Sequence, residues 1–117
     1  MTPEEKRAAL GEAASKLINA AWAQVRRRGK TPRDAVVLVL DLADADAREI
    51  VAERPGEELE VLHVESDKGV WDIALAVAPR ERAVKNLPEL GSRPEASVVI
   101  VSGGGCWLGS AHTSDAN

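Results

Sequence analysis

The side chains best suited to covalent chemistry are concentrated after the glycine run at 103–105. They comprise one thiol and three hydroxyl groups, namely Cys106, Ser110, Thr113 and Ser114. These are the nucleophiles and dehydratable groups on which peptide-modifying enzymes act. Flexible glycines allow such an enzyme or a protease to take an extended segment into its active site. The pattern favours a modified tail that is cleaved after Gly104 or Gly105.

A catalytic cysteine is the alternative interpretation of the same segment. Cys106 would act as the nucleophile if His112 paired with it as thiolate and imidazolium. Glycine and short polar residues provide little to hold that geometry rigid. We therefore predict no catalytic residue, and no cofactor, for this chain.

An acidic cluster follows the apolar run at 35–40 and offers a weak candidate metal site at Asp41, Asp44 and Asp46. Three carboxylates at the end of a buried strand could hold Mg²⁺. Acidic residues are also common at helix starts, where they cap the helix and interact favourably with its dipole. The second explanation is favoured, with Asp44 as the cap.

A basic run offers a candidate binding site for phosphate or an acidic partner, at Arg26, Arg27, Arg28 and Lys30. Positively charged side chains also stabilise the C-terminal ends of helices, because they interact favourably with the negative end of the helix dipole. The structural explanation is again favoured.

Composition limits the class of protein. The 117 residues are enough for one hydrophobic core, and the net charge of −4 argues against general nucleic-acid binding. The single cysteine is consistent with a reducing compartment. The N-terminus lacks the apolar region of a signal peptide, and the longest apolar run, 35–40, is too short to span a bilayer. We expect a cytoplasmic protein that associates with neither membranes nor nucleic acid.

The first element is predicted to be one long helix from Pro3 to Arg28. Thr2 and Glu5 form a capping box, and Gly29 ends the helix. Apolar residues recur at helical spacing, at Leu10, Ala14, Leu17, Ile18, Ala21, Trp22 and Val25.

The remaining elements alternate in type. Residues 35–40 predict a strand buried on both faces, and a short helix and a strand at 59–65 follow. Residues 66–69 predict a hairpin turn, with a return strand that alternates from Trp71 to Val77. A short helix after Pro79 and a strand at 97–101 complete the pattern. We predict an α+β fold in which the long helix precedes a ferredoxin-like β-α-β-β-α-β sheet. The helix between the first two strands is short for a crossover, which leaves an alternative strand order open. The domain would cover residues 1–102, followed by a glycine-rich linker and tail at 103–117.

Several motifs resemble one class of precursor of ribosomally made, modified peptides, the nitrile-hydratase-like leader peptides. The similar segments are INAAWA at 18–23, TPRDA at 31–35, PGEELEV at 55–61 and VAP at 77–79, with the GGG before Cys106. The resemblance implies a folded leader that a modifying enzyme recognises. It does not imply hydratase activity, because the clustered cysteines of the hydratase metal motif are absent.

The leading functional hypothesis is therefore a precursor or carrier protein whose tail is modified. The alternative is a small ferredoxin-like module that binds a ligand or protein partner, as a homodimer, without catalysis. A Cys106 enzyme is the third possibility.

Overall fold

The structure is a computed structural model that describes residues 2–31, 33–53 and 59–109. The helices are α1 (Pro3–Ala13), α2 (Ser15–Arg27), α3 (Ala45–Ala52) and α4 (Arg80–Asn86), with a 3₁₀ helix at Pro88–Ser92. The strands are β1 (Ala35–Asp41), β2 (Leu59–Ser66), β3 (Gly69–Pro79), β4 (Val98–Ser102) and β5 (Gly105–Gly109). The fold class is α+β, as predicted.

The strands form one mixed sheet in the order β2-β3-β1-β4-β5. Every residue of β1 is buried, which confirms the prediction of a strand covered on both faces. One core lies between one face of the sheet and α1 and α2, and includes Trp22, Val39 and Ile73. A second core lies on the opposite face and includes Leu38, Ile50 and Leu90. The central strands are therefore enclosed between two helical layers.

The predicted long N-terminal helix is wrong in one respect, because it is divided at Ala14. The capping box is present, with the Thr2 hydroxyl accepting from the Glu5 N–H at 3.1 Å. Before the break, α1 lies against β4 and β5, whereas after it α2 lies against β1. Because a sheet twists, two shorter helices can cover different strands that one straight helix could not follow.

The sheet is not a clear ferredoxin-like β-α-β-β-α-β sheet, because the residues that the structure describes form only one crossover between parallel strands. Strands β1 and β2 are both antiparallel to β3, so they are parallel to each other and joined through α3. Strand β4 is parallel to β1 and hence antiparallel to β3. Helix α4 has seven residues, about 10 Å of helix, which is too short to carry the chain back along the eleven-residue β3.

The predicted hairpin between β2 and β3 is present. Ser66 pairs with Gly69, whose φ of 154° suits glycine, as expected. The alternating residues Trp71, Ile73 and Leu75 all belong to the first core. This register fixes which side chains of β2 and β3 face one another.

The sheet continues beyond the boundary predicted at Ser102. Strand β5 pairs antiparallel with β4 from Ser102↔Gly105 to Val98↔Gly109. The first seven residues of the predicted linker and tail, 103–109, thus form a turn and an edge strand. Residues 110–117 lie outside the described part of the chain.

Candidate functional site

The glycine run forms a tight turn. Gly103 and Gly104 have φ values of 63° and 79° and connect β4 to β5 as a two-residue hairpin loop. Glycine adopts these positive φ values without steric cost, and two-residue hairpin loops commonly require them. The candidate cleavage residues Gly104 and Gly105 are therefore the second residue of this turn and the first residue of β5.

Two aspartates from the acidic cluster hold the turn. Asp41, at the end of β1, accepts a hydrogen bond from the Ser102 hydroxyl at 2.7 Å. Asp44 accepts from the Gly104 N–H at 2.6 Å. Both aspartates are buried. The parallel pairing of β1 with β4 explains the contact, since it brings the C-terminal ends of both strands to the same edge of the sheet.

The remaining carboxylate oxygens of these aspartates bind their own loop. Asp41 accepts from the Ala43 N–H at 3.0 Å, and Asp44 accepts from the Asp46 N–H at 2.7 Å. Asp44 is thus the N-cap of α3, as predicted. The side chain of Asp46 is in the first turn of α3 and exposed. Within residues 2–31, 33–53 and 59–109, no group of three or more His, Cys, Asp or Glu side chains is arranged to hold a metal ion.

Helix α1 packs against the other side of the turn. The Arg7 guanidinium donates to the Ser102 carbonyl at 2.8 Å. A Cβ atom at Gly103 would lie 3.2 Å from Cβ of Pro3, and one at Gly105 would lie 2.9 Å from Arg7. The backbone conformation therefore favours glycine at Gly103 and Gly104, and the short distance to Pro3 leaves little room for a side chain at Gly103.

Cys106 lies in β5 rather than in a free tail. Its side chain is partly buried against the second core, and its thiol donates to the Glu89 carboxylate at a distance of 3.7 Å. Burial, followed by the negative charge of Glu89, raises the pKa of the Cys106 thiol. Such a thiol is largely protonated at neutral pH, whereas a catalytic cysteine has a lowered pKa.

A cavity of about 440 Å³ opens beside Cys106. Its lining includes Lys85 and several carboxylates, namely Asp46, Glu49, Glu53 and Glu89. This excess of negative charge disfavours a thiolate at Cys106. The other predicted modification residues, Ser110, Thr113 and Ser114, lie outside the described residues, as does His112.

The basic run lies at the C-terminal end of α2. Arg26, Arg27, Arg28 and Lys30 are all exposed, and Arg28 is the C-cap residue. The Lys30 N–H donates to the Val25 carbonyl at 3.1 Å, which helps to close the helix. The predicted structural role at the helix terminus agrees with this position.

Strand β2 provides a second candidate surface. It forms one edge of the sheet, opposite the edge formed by β5. Val61 on β2 and Val70 on β3 are 69% and 59% exposed. The register places both on the same face, on either side of the pair His63↔Asp72.

His63 lies between two carboxylates on this face. Its Nδ1 is 2.8 Å from Asp72 Oδ1 and its Nε2 is 3.2 Å from Glu65 Oε1. The hydrogen bond to Asp72, and then that to Glu65, raises the pKa of His63. This cluster was not assigned from the sequence, although the 66–69 turn itself fixes residue 63 opposite residue 72.

Comparisons with known proteins identify no relative. No protein-family model matches the chain, and no match was found among curated proteins or solved structures. Among the described residues, no helix has the length and apolar character needed to cross a membrane. The resemblance to nitrile-hydratase-like leader peptides therefore stays a prediction from the motifs.

Proposed function

We propose that this protein functions by binding another polypeptide, which pairs with the exposed edge of β2. The observation that carries the proposal is the regularity of this edge. Strand β2 pairs with β3 over eight consecutive positions without a bulge, and it contains neither proline nor lysine. Proteins usually protect a long edge strand with bulges, prolines or charged side chains, because its unpaired N–H and C=O groups attract other strands. Of these features β2 has only its two glutamates, Glu60 and Glu65.

The exposed side chains beside this edge support the same proposal. Val61 and Val70 present apolar surface next to the backbone groups that an added strand would use. In strand addition, backbone hydrogen bonds supply affinity and the alternating side chains supply specificity. His63 and its carboxylate partners lie between the two valines and would contribute polar contacts.

Among the described residues that the sequence offered for chemistry, Asp41, Asp44 and Cys106 are engaged in contacts within the fold. Asp41 and Asp44 each use both carboxylate oxygens within the fold. The Cys106 thiol has a raised pKa, which opposes its use as a nucleophile. These contacts favour a binding function over the Cys106 enzyme hypothesis.

The proposal is tested by photo-crosslinking in the native host. A benzophenone amino acid at Val61 should give a discrete adduct with a polypeptide, because this position borders the free edge. The same group at Lys16, which is exposed on α2, is the matched control. Replacing Val70 with lysine in the Val61-labelled chain should reduce the adduct. Equal labelling from Lys16, or no adduct from Val61, would contradict the proposal.

The precursor hypothesis is retained as a second proposal. Its support is that Ser110, Thr113 and Ser114 all follow β5 in the sequence. A modifying enzyme would be one polypeptide able to pair with β2. Cleavage after Gly104 or Gly105 would require β5 to leave the sheet, because the Gly104 N–H is bound to Asp44. Intact-mass and fragmentation spectra of the protein from its host test this hypothesis. A mass change within residues 106–117 would support it, and an unmodified full-length chain would oppose it.

A further inference from the structure

A cavity of about 240 Å³ opens between the two N-terminal helices and the last two strands, at the edge of the sheet opposite β2. Its lining includes the apolar side chains of Ile18, Val98, Ile100 and Trp107. Gly11 of α1 also borders the cavity and has no side chain to fill it. Sites that bind small molecules are mainly apolar, with a few polar groups that fix the orientation of the ligand. The composition of this cavity agrees with such a site.

Trp107 provides an aromatic wall for the cavity. It pairs across the strands with Ile100, which also lines the cavity, and it is 44% exposed. A Cβ atom at position 109 would overlap the indole ring, so the ring lies across Gly109. A large aromatic side chain that is half-exposed beside an apolar cavity offers a surface on which another planar ring can stack.

The volume of the cavity indicates the size of the ligand. A cavity of about 150 Å³ with an apolar lining binds benzene. The cavity beside Trp107 is larger by about half, which suits a single ring with a substituent or two fused rings. Residues 110–117, which follow β5 in the sequence, carry no apolar side chain larger than that of alanine. The ring would therefore belong to a separate molecule.

The charges at the cavity favour an anionic substituent on this ring. Of the two charged residues that line the cavity, Glu12 already binds the Lys68 ammonium at 3.0 Å. The side chain of Arg7 is 12% exposed, donates to the Ser102 carbonyl at 2.8 Å and lies 3.7 Å from the exposed carboxylate of Glu4. A guanidinium has five N–H donors, so Arg7 can bind a further acceptor. A carboxylate is well suited to this role, because its two oxygens match the planar fork of arginine.

We propose that this cavity binds a small aromatic carboxylate, with its ring against Trp107 and its carboxylate at Arg7. The ring would displace water from the indole and from Ile18 and Ile100, and the carboxylate would pair with a largely buried cation. The cavity contains no residue of β2, so this site is additional to the polypeptide binding proposed above.

Titration of the full chain with 2-naphthoate, followed by ¹H–¹⁵N NMR, tests the proposal. We expect a saturable shift of the Trp107 indole N–H signal, which the Trp107→Val variant identifies, without a comparable shift of the Trp71 signal. The neutral amide 2-naphthamide has the same rings. It should bind about tenfold more weakly than the acid, because a hydrogen bond to a charged group is the stronger one.

Two variants test the assigned residues. Trp107→Val should raise the dissociation constant about three- to tenfold by removing the ring contact. Arg7→Gln should raise it about tenfold for 2-naphthoate and leave that of 2-naphthamide nearly unchanged, since glutamine can still donate to the Ser102 carbonyl. Lys6→Gln is the matched control, because it removes the same charge from α1 at a residue that does not line the cavity. The NMR spectrum of each variant establishes that it is folded.

Three outcomes would contradict the proposal. The site itself is overturned if 2-naphthoate at millimolar concentration gives no saturable shift at Trp107. Equal affinities for 2-naphthoate and 2-naphthamide would overturn the anionic character of the ligand. An equal loss of affinity in Lys6→Gln and Arg7→Gln would overturn the direct contact with Arg7.

Discussion

Asp44 connects two parts of the chain that are sixty positions apart. One carboxylate oxygen caps α3 through the Asp46 N–H, and the other binds the Gly104 N–H in the β4–β5 turn. Asp41 has the same dual role between its own loop and Ser102. These contacts give the acidic cluster a structural purpose, and they couple the start of α3 to the end of the sheet.

Substitutions at Asp44 should separate its two roles. We expect Asp44→Ala to lower the free energy of unfolding by about 2–3 kcal/mol, because it removes a helix cap and leaves a turn N–H unpaired. Asp44→Asn should cost about 1–2 kcal/mol, since an asparagine oxygen can still cap α3. Urea denaturation measures both effects. Asp46→Ala is the control, and a loss as large as that of Asp44→Ala would contradict this assignment.

The Cys106 thiol should react slowly with alkylating agents at neutral pH. Its raised pKa lowers the thiolate fraction in the folded protein relative to the unfolded chain. Stability should correspondingly fall as pH rises above the pKa of the unfolded thiol. Glu89→Gln should increase the alkylation rate only by roughly two- to fivefold, because burial is the larger cause of the shift. Iodoacetamide labelling followed by mass spectrometry measures the rate. A folded protein that reacts faster than the unfolded chain would contradict the raised pKa.

At the scale of elements, the seating of α1 on the sheet depends on Gly11. A Cβ atom at this position would lie 2.9 Å from Cδ1 of Ile100 on β4, closer than side chains normally approach. Helix α1 also supplies Arg7 to the turn, so a displacement of the helix would disturb the β4–β5 hairpin.

Replacing Gly11 should therefore destabilise the protein despite alanine's higher helix propensity. We expect Gly11→Ala to cost about 1–3 kcal/mol through overpacking, offset in part by about 1 kcal/mol of helix propensity. Ile100→Val removes the clashing methyl group. The double variant should therefore lose less stability than the sum of the two single variants. Thermal denaturation of the wild type, the two single variants and the double variant measures this coupling. Strictly additive losses of stability would show that the contact between residue 11 and Ile100 does not cause the destabilisation.

Local patterns predicted several elements well. The apolar run at 35–40 indicated a strand buried on both faces, and the 66–69 turn fixed the β2–β3 register. These features depend on neighbouring residues and on period-two alternation, which a sequence displays directly. The cap at Asp44 was predicted for the same reason.

Features that depend on distant pairing were missed. Gly103 and Gly104 were interpreted as a linker, although two glycines between apolar segments also predict a hairpin. The hydrogen bonds from this turn to Asp41 and Asp44 follow from the parallel β1–β4 pairing, which no local pattern encodes. The break at Ala14 likewise depends on how the helices follow the sheet.

At the scale of the whole molecule, β5 contributes to the fold and is expected to be needed for stability. It covers one edge of β4, whose five residues are all buried. Cys106 and Leu108 also pack against the second core. These contacts are those expected of a strand that supports the fold, and a detachable tail would lack them.

Two truncations test this distinction. A chain ending at Ser102 exposes the buried edge of β4, and we expect it to lose about 3 kcal/mol or more of stability, or to aggregate. A chain ending at Gly109 keeps all five described strands and should melt within a few degrees of the full chain. Differential scanning calorimetry compares the three proteins. Equal melting temperatures for the Ser102 and Gly109 chains would indicate that β5 does not support the fold.

The tryptophans give the protein intrinsic optical probes of the first core and of strand β5. The chain contains no tyrosine, so its ultraviolet emission comes from indole alone. Trp22 and Trp71 are 1% and 9% exposed, whereas Trp107 on β5 is 44% exposed. Acrylamide should therefore quench Trp107 first, and a red shift confined to this quenchable fraction would report separation of the last strand before the core unfolds.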